Sequence, residues 1–165
     1  MIIRESEMNF GPFDENDVFY IEQSTLYKKL GENVKIAEFI FKKRDSIVFV
    51  EAKSSAPNPK GNIPEDFATY IQKISQKLNN TFTLLLSAKL KIAKDSEQET
   101  ENFIQLEEIS NKKIAFRLVI REAHKEHLRP IQDALQKELL AQSKIWNIEV
   151  KVINAEIAKQ YKLIS

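Results

Sequence analysis

Three ionisable residues, Glu38, Glu51 and Lys53, lie within the stretch KIAEFIFKKRDSIVFVEAK, Lys35 to Lys53, which otherwise reads as a β-hairpin. Its centre, Lys43-Arg44-Asp45-Ser46, suits a turn between two β-rich arms. Pairing symmetric about Arg44 and Asp45 sets Glu38 opposite Glu51, and alternation along the strand turns Lys53 the same way as Glu51. Directly opposed carboxylates repel each other and weaken a hairpin unless a divalent cation or an ammonium group lies between them. Two glutamate oxygens and a backbone carbonyl suit a hard cation such as Mg²⁺ or Mn²⁺. Such an ion activates a water and stabilises charge on a phosphoryl oxygen, while a neighbouring lysine orients that water or steadies the developing charge. The chemistry that fits is phosphodiester hydrolysis.

The setting of the triplet Glu51-Ala52-Lys53 separates it from a second one, Glu149-Val150-Lys151. In the later stretch Trp146, Ile148, Val150 and Val152 form an apolar face, with Asn147, Glu149 and Lys151 on the other, as in a strand with one wet side. Trp146 is expected in the core. In the hairpin, Ile47 and Phe49 share the face of Glu51, and Val48, Val50 and Ala52 make the opposite face apolar too. Glu38 sits between Ile36 and Ile40, with Ala37, Phe39 and Phe41 behind it. Charges emerging from a strand pair buried on both sides need partners, and lacking them are strongly destabilising.

The elements that must hold these residues follow from periodicity. Ile2-Ile3 reads as a short strand before a turn at Asn9-Phe10-Gly11-Pro12, and Val18 to Ile21 is strand-like. Ser24 is placed to cap a short helix through Leu30, closed by Gly31. After the hairpin, Ser54 to Gly61 is a loop. From Pro64 the residues Phe67, Ile71, Ile74, Leu78, Phe82 and Leu85 recur at spacings of three and four, which predicts a long amphipathic helix past Ala88, with Thr81 to Leu84 alternatively a strand. Lys94 to Thr100 reads as loop and Phe103 to Ile109 as a short helix. A buried strand is expected over Ile114–Ile120, a helix over Pro130–Ala141, a strand over Ile145–Ile153 and a last helix over Ala155–Tyr161. The fold class is α/β, one domain over residues 1–165, with a mixed sheet containing the 35–53 hairpin and helices on both faces.

Composition narrows the function. The 165 residues include no cysteine, which excludes disulfides, zinc-thiolate sites and thiol nucleophiles, and fits a reducing, cytoplasmic setting. The start, MIIRESEMNF, has acids where a secretory signal would be apolar, and no apolar run approaches a membrane span. With a net charge of +1, any polyanion must be bound by a local patch. Lys73 and Lys77, four apart on the long helix, form one such candidate patch for nucleic-acid phosphates, and Ser54 and Ser55, directly after Lys53, are placed to touch a scissile phosphate. His124 and His127 lack a suitable third ligand.

Glu38, then Glu51-Ala52-Lys53 at the end of an apolar strand, followed by a loop and a long helix, resembles the PD-(D/E)XK nuclease superfamily, over roughly Val34 to Leu86. The resemblance implies a restriction-endonuclease-like fold and a metal-dependent nuclease, acting on DNA in preference to RNA. It implies Glu38 and Glu51 as ligands of Mg²⁺ or Mn²⁺, Ala52 as the donor of a backbone carbonyl, and Lys53 as assistant to the nucleophile. It also implies a further acid before the hairpin, for which Glu22 is the candidate, and a glutamine on the following helix, Gln72 or Gln76. Ala37-Glu38 departs from the family's usual Pro-Asp. That departure motivates the alternative of an inactive nuclease-fold module for nucleic-acid or protein interaction; a homodimer, or a partner subunit that supplies DNA specificity, is a separate expectation. A structural subunit with an internal salt-bridge cluster is the third possibility.

Overall fold

The computed structural model describes residues 1–31, 33–93 and 97–165. Strands β1 (Ile3–Glu5) and β2 (Met8–Phe10) form a small antiparallel ribbon. The main sheet carries β3 (Val18–Phe19), β4 (Phe39–Lys42), β5 (Ser46–Lys53), β6 (Lys113–Ile120) and β7 (Glu149–Asn154), side by side in chain order. β3, β4 and β5 are antiparallel neighbours, whereas β5, β6 and β7 run parallel, so the sheet is mixed and the fold is α/β. The parallel pairs require long crossovers. The first runs through α2 (Pro64–Lys89), α3 (Glu97–Glu101) and α4 (Leu106–Asn111), the second through α5 (Lys125–Glu138) and α6 (Leu140–Trp146).

Strand alternation divides the core. On one face Ile47, Phe49, Phe116 and Leu118 meet Ile74, Leu78, Phe82 and Leu85 of α2 and Ile131 and Leu135 of α5. Phe49, Phe82 and Phe116 pack edge to face with ring centres 5.5–6.1 Å apart. On the other face Phe39, Val48, Val50 and Ala52 lie against Ile3, Met8 and Phe10 of the ribbon and Ala158 of α7 (Ala155–Gln160). β5 therefore has apolar layers on both sides. α2 begins with proline at its first position and Glu65 and Asp66 in its first turn, where a missing N–H and negative charge are favourable. Among the described residues no helix is long and apolar enough to cross a membrane.

The segment before the hairpin is fixed by caps. Ser24 Oγ accepts the Tyr27 N–H at 3.0 Å and opens α1 (Thr25–Lys28). The Glu99 carboxylate accepts the N–H groups of Thr25 and Leu26, both at 2.8 Å, tying α3 to this helix start. Burial alone would raise the Glu99 pKa, but these bonds outweigh it and hold the carboxyl below its ordinary value.

Several boundaries differ from expectation. The first turn is at Ser6-Glu7, both in the left-handed region, so Met8 to Phe10 is strand and not part of a turn. The first arm of the hairpin starts at Phe39, because Lys35 to Ala37 are held by α2. Thr81 to Leu84 is helical, within α2. α4 starts at Leu106, where Gln105 and Glu108 form a reciprocal capping box. Residues 97–100 of the expected loop belong to helix α3, and 94–96 lie outside the described residues. α5 starts at Lys125 and tolerates Pro130 in its second turn at the loss of one backbone bond. Trp146 ends α6 and is half-exposed, edge-on to Phe82 at 5.0 Å, so it is not a core strand residue. Asn147, in the left-handed region, closes that helix before β7 begins at Glu149.

Candidate active site

The hairpin register brings Glu38 and Glu51 together. Phe39 pairs with Val50 and Ile40 with Phe49, as symmetric pairing requires, and the Lys43 N–H donates to Ser46 O at 2.8 Å to close the turn. At Glu38 the ladder goes one residue out of step, its N–H donating to Val50 O at 3.1 Å. The chain ahead of it is clamped to α2. Thr81 Oγ1 accepts the Ala37 N–H and donates to Lys77 O, both at 2.7 Å, and Asn80 Nδ2 donates to Lys35 O at 2.8 Å. A helix thus places this acid as much as the sheet does.

Glu51 is 0% exposed and Glu38 6%. Glu51 Oε1 receives Lys53 Nζ at 2.6 Å and Lys77 Nζ at 2.8 Å, and Lys77 Nζ lies 3.5 Å from Glu38 Oε1. Glu51 Oε2 and the Tyr70 hydroxyl are buried with no hydrogen-bond partner among the described residues. Burial, then the Glu51 charge, then Glu22 push the Glu38 carboxyl up to about 8, against the opposing pull of Lys77. Burial works against the charged form of Lys77, yet Glu51 and Glu38 hold its ammonium above the ordinary lysine value. Burial and the Glu51 charge likewise push the Tyr70 phenol up.

Glu22 belongs to the site's outer side. It sits in the 3₁₀ turn Ile21–Gln23, and its N–H donates to Glu38 O at 3.4 Å. One carboxylate oxygen from each of Glu5, Glu22 and Glu38 lies within 4.8 Å of the others, the one such grouping of potential metal ligands among the described residues. Tyr20 donates its hydroxyl to Glu5, and burial, then Glu5, raise the Tyr20 pKa. The neighbourhood therefore gathers the carboxyls of Glu5, Glu22, Glu38 and Glu51 around the ammonium groups of Lys53 and Lys77. Acid is in excess, as a divalent cation would require.

The other expected residues divide. The Ala52 side chain is buried on the far face, and strand alternation turns its carbonyl to the same side as that of Val50, toward Glu38. Ser54 O accepts the Glu122 N–H at 3.0 Å, which ties the loop start to the end of β6, and Ser55 is exposed. Gln72, Lys73 and Gln76 are exposed on α2 and do not enter the cluster, whereas Lys77 lies inside it rather than on a wet helix face. His124 and His127 stack edge to face at the start of α5, and among the described residues they belong to no group of three potential metal ligands.

Sequence reasoning missed Glu5, Tyr20 and Tyr70 and misplaced Lys77. For the α2 residues a signal existed: Tyr70, Ile74, Lys77 and Thr81 are spaced four, three and four apart and share one stripe. Glu5 carried none, because the docking of the β1–β2 ribbon is a long-range event. A cavity of about 620 Å³ between Leu86, Leu90, Leu106, Ile109 and Trp146 contains none of these residues. No protein-family model matches the chain, and no curated protein or solved structure matches it either.

Proposed function

We propose that this protein is a metal-dependent nuclease that hydrolyses phosphodiester bonds, of DNA in preference to RNA, and that it resembles the PD-(D/E)XK superfamily in its catalytic group. The observation that carries the reading is the fully buried Glu51, bonded to Lys53 at 2.6 Å and sharing Lys77 with Glu38, while its second oxygen has no partner among the described residues. Burying a carboxylate with an unsatisfied oxygen is costly, and a bound Mg²⁺ or Mn²⁺ offsets that cost. Glu38, Glu51 and the Ala52 carbonyl would hold the ion, with Glu22 beside Glu38. When bound, the ion supplies Lewis-acid stabilisation of a phosphoryl oxygen and a more acidic water. Lys53, fixed by Glu51 and a third exposed, orients the attacking water and steadies charge on the phosphate. Ser54, Ser55, Lys73 and Gln76 sit on the open side of the loop and α2, where backbone phosphates would pass.

A specific observation favours a second reading. The Lys77 ammonium stands between the two acids, 2.8 Å from Glu51 and 3.5 Å from Glu38, and supplies positive charge where an ion would. In an inactive nuclease-fold module that ammonium would be the permanent partner of the pair, and the cluster would serve only the fold.

Calorimetric titration with Mn²⁺ and a cleavage assay on single- and double-stranded DNA decide between them. The nuclease reading expects stoichiometric Mn²⁺ binding that Glu51→Gln weakens, and Mn²⁺-dependent cleavage that Lys53→Ala lowers by about 10²–10³. Cleavage unchanged in Lys53→Ala would sink the assignment. Absence of cleavage, with a melting temperature indifferent to metal, favours the module.

A further inference from the structure

The sheet face turned away from α2 gathers charge of the opposite sign. Arg117 of β6 and Lys151 of β7 are partners in the parallel register, so their side chains leave the same face side by side. They line a cleft of about 240 Å³, and Lys43, just after β4, lines it with them. Cations brought this close repel each other unless something compensates them. Among the described residues Glu149 is the one carboxylate that pairs with any of the three, and it is mostly exposed while the Arg117 guanidinium it meets is largely shielded. Lys151 and Lys43 lie instead over aromatic rings, 5.3 Å from the centre of Tyr161 and 5.5 Å from that of Phe41. Positive charge is therefore in excess in a concave, partly dehydrated place.

The walls of the cleft are fixed and its floor is apolar. Val48, Ile153 and Leu163 line it and belong to the buried core on this face. Lys112 Nζ donates to the carbonyls of Lys43 and Arg44, at 3.0 and 2.6 Å, and holds the β4–β5 turn against the start of β6. On the far side the Leu163 N–H donates to Ala158 O at 2.9 Å and the Gly11 N–H to Leu163 O at 3.0 Å, which pins the chain after Tyr161 to α7 and the ribbon. The backbone that carries the cations is thus in place before a ligand arrives, and binding loses little to ordering it.

The ligand that satisfies such a cleft is an anion with a flat apolar part. The planar fork of Arg117 suits two oxygens of a phosphoryl group. A phosphomonoester also brings nearly a double negative charge at neutral pH, which matches several cations better than a carboxylate does. The volume is that of about eight waters, room for a phosphoryl group and one ring system. We propose that the cleft between Lys43, Arg117, Lys151 and Tyr161 binds a free nucleotide, its phosphate among the three cations and its base against the apolar floor. The cleft and Glu51 are on opposite faces of the sheet, so this site goes beyond the nuclease reading and does not depend on it.

The test is calorimetric titration of the full chain with adenosine monophosphate in metal-free buffer, with adenosine and inorganic phosphate as the two halves of the ligand. The wild type should bind the monophosphate more tightly than either half. Arg117→Gln and Lys151→Gln should each weaken it about tenfold or more. Glu149→Gln removes the acid that competes for Arg117 and should tighten binding about two- to fivefold, a gain that no loss of folding can mimic. Adenosine or phosphate bound as tightly as the monophosphate would overturn the site. So would wild-type affinity in both Arg117→Gln and Lys151→Gln, or no binding of the monophosphate by the wild type and Glu149→Gln alike. A phosphorylated oligonucleotide that binds more tightly than the free nucleotide, and is weakened by the same variants, would move the ligand to the end of a strand and overturn the free nucleotide.

Discussion

Two strands of one sheet, β5 and β7, carry the pattern acid-x-lysine in the same direction, and their surroundings give the two triplets opposite characters. Glu51 is sealed between the sheet and α2 and bonded to Lys53 and Lys77. Glu149 is exposed and pairs with Arg117 at 3.2 Å, while Lys151 lies over the Tyr161 ring at 5.3 Å and leaves Glu149 alone. β5 is the central strand, with neighbours on both edges and apolar layers on both faces, whereas β7 is an edge strand whose wet face meets solvent. In the first setting the local dielectric is low, so each charge must be matched and small displacements are costly; in the second, water screens the pair and its geometry is of little consequence.

The comparison breaks most readily at Glu51. Glu51→Ala strands Lys53 and Lys77 without their carboxylate and opens a cavity, and should lower the unfolding free energy by about 3 kcal/mol in urea denaturation. A change no larger than that of the corresponding variant at Glu149 would show that burial of the first triplet has no energetic consequence.

The pH dependence sharpens the same contrast. The Glu38 carboxyl, at about 8 in the folded chain, lies above its ordinary value of 4.5, so the folded state binds that proton more tightly than the unfolded state does. This contribution to stability is complete below about 4.5 and is lost as pH rises through about 8. Lys77, held above its ordinary value, keeps its contribution through that window and loses it only at higher pH. The melting temperature in metal-free buffer should therefore fall between about pH 5 and pH 8.5, and Glu38→Gln should flatten the slope. A wild-type profile that rises over this window would refute the assignment of Glu38.

Thr81→Val tests how the helix contributes. Its hydroxyl is the link between the Ala37 N–H and the Lys77 carbonyl, and the loss leaves a buried donor unpaired at a cost of about 1–2 kcal/mol. Because Ala37 precedes Glu38, Mn²⁺ affinity should fall with stability, which no equally destabilising change near β7 would do.

Why the burial and pairing of one triplet were legible and those of its neighbours were not has a physical reason. The symmetric register of the hairpin and the double apolar face of β5 are local properties, written in alternation over a few residues, and both are present in the structure. The stripe Ile71, Ile74, Leu78, Phe82 and Leu85 likewise fixed α2 and the side of it that meets the sheet. Lys77 was hidden by its chemistry: a lysine beside an apolar stripe reads as solvated unless a buried acid is known to face it. Glu5 was hidden by topology, since the ribbon turns at Ser6-Glu7 with neither glycine nor asparagine to announce the left-handed turn, and it docks through non-local packing. Trp146 alternates with Ile148 and Val150 as a strand residue would, but the helical pattern ahead of it runs on to Asn147, and the edge of the sheet starts later.

The smallest expected effect belongs to the second triplet and completes the contrast. Glu149→Gln removes the exposed partner of Arg117, a guanidinium more shielded than the acid it meets, with side-chain exposures of 17% and 63%. Water and salt screen such a pair, and holding two flexible side chains in one geometry costs entropy comparable with the attraction. Its unfolding free energy should stay within about 0.5 kcal/mol of the wild type, with any difference fading at high salt. On the proposed nuclease reading, DNA cleavage should be unaltered, because the residue lies on the opposite sheet face from Glu51 and Lys53. A loss of cleavage in Glu149→Gln would mean that the reacting phosphate meets β7, and the asymmetry between the two triplets would have to be abandoned.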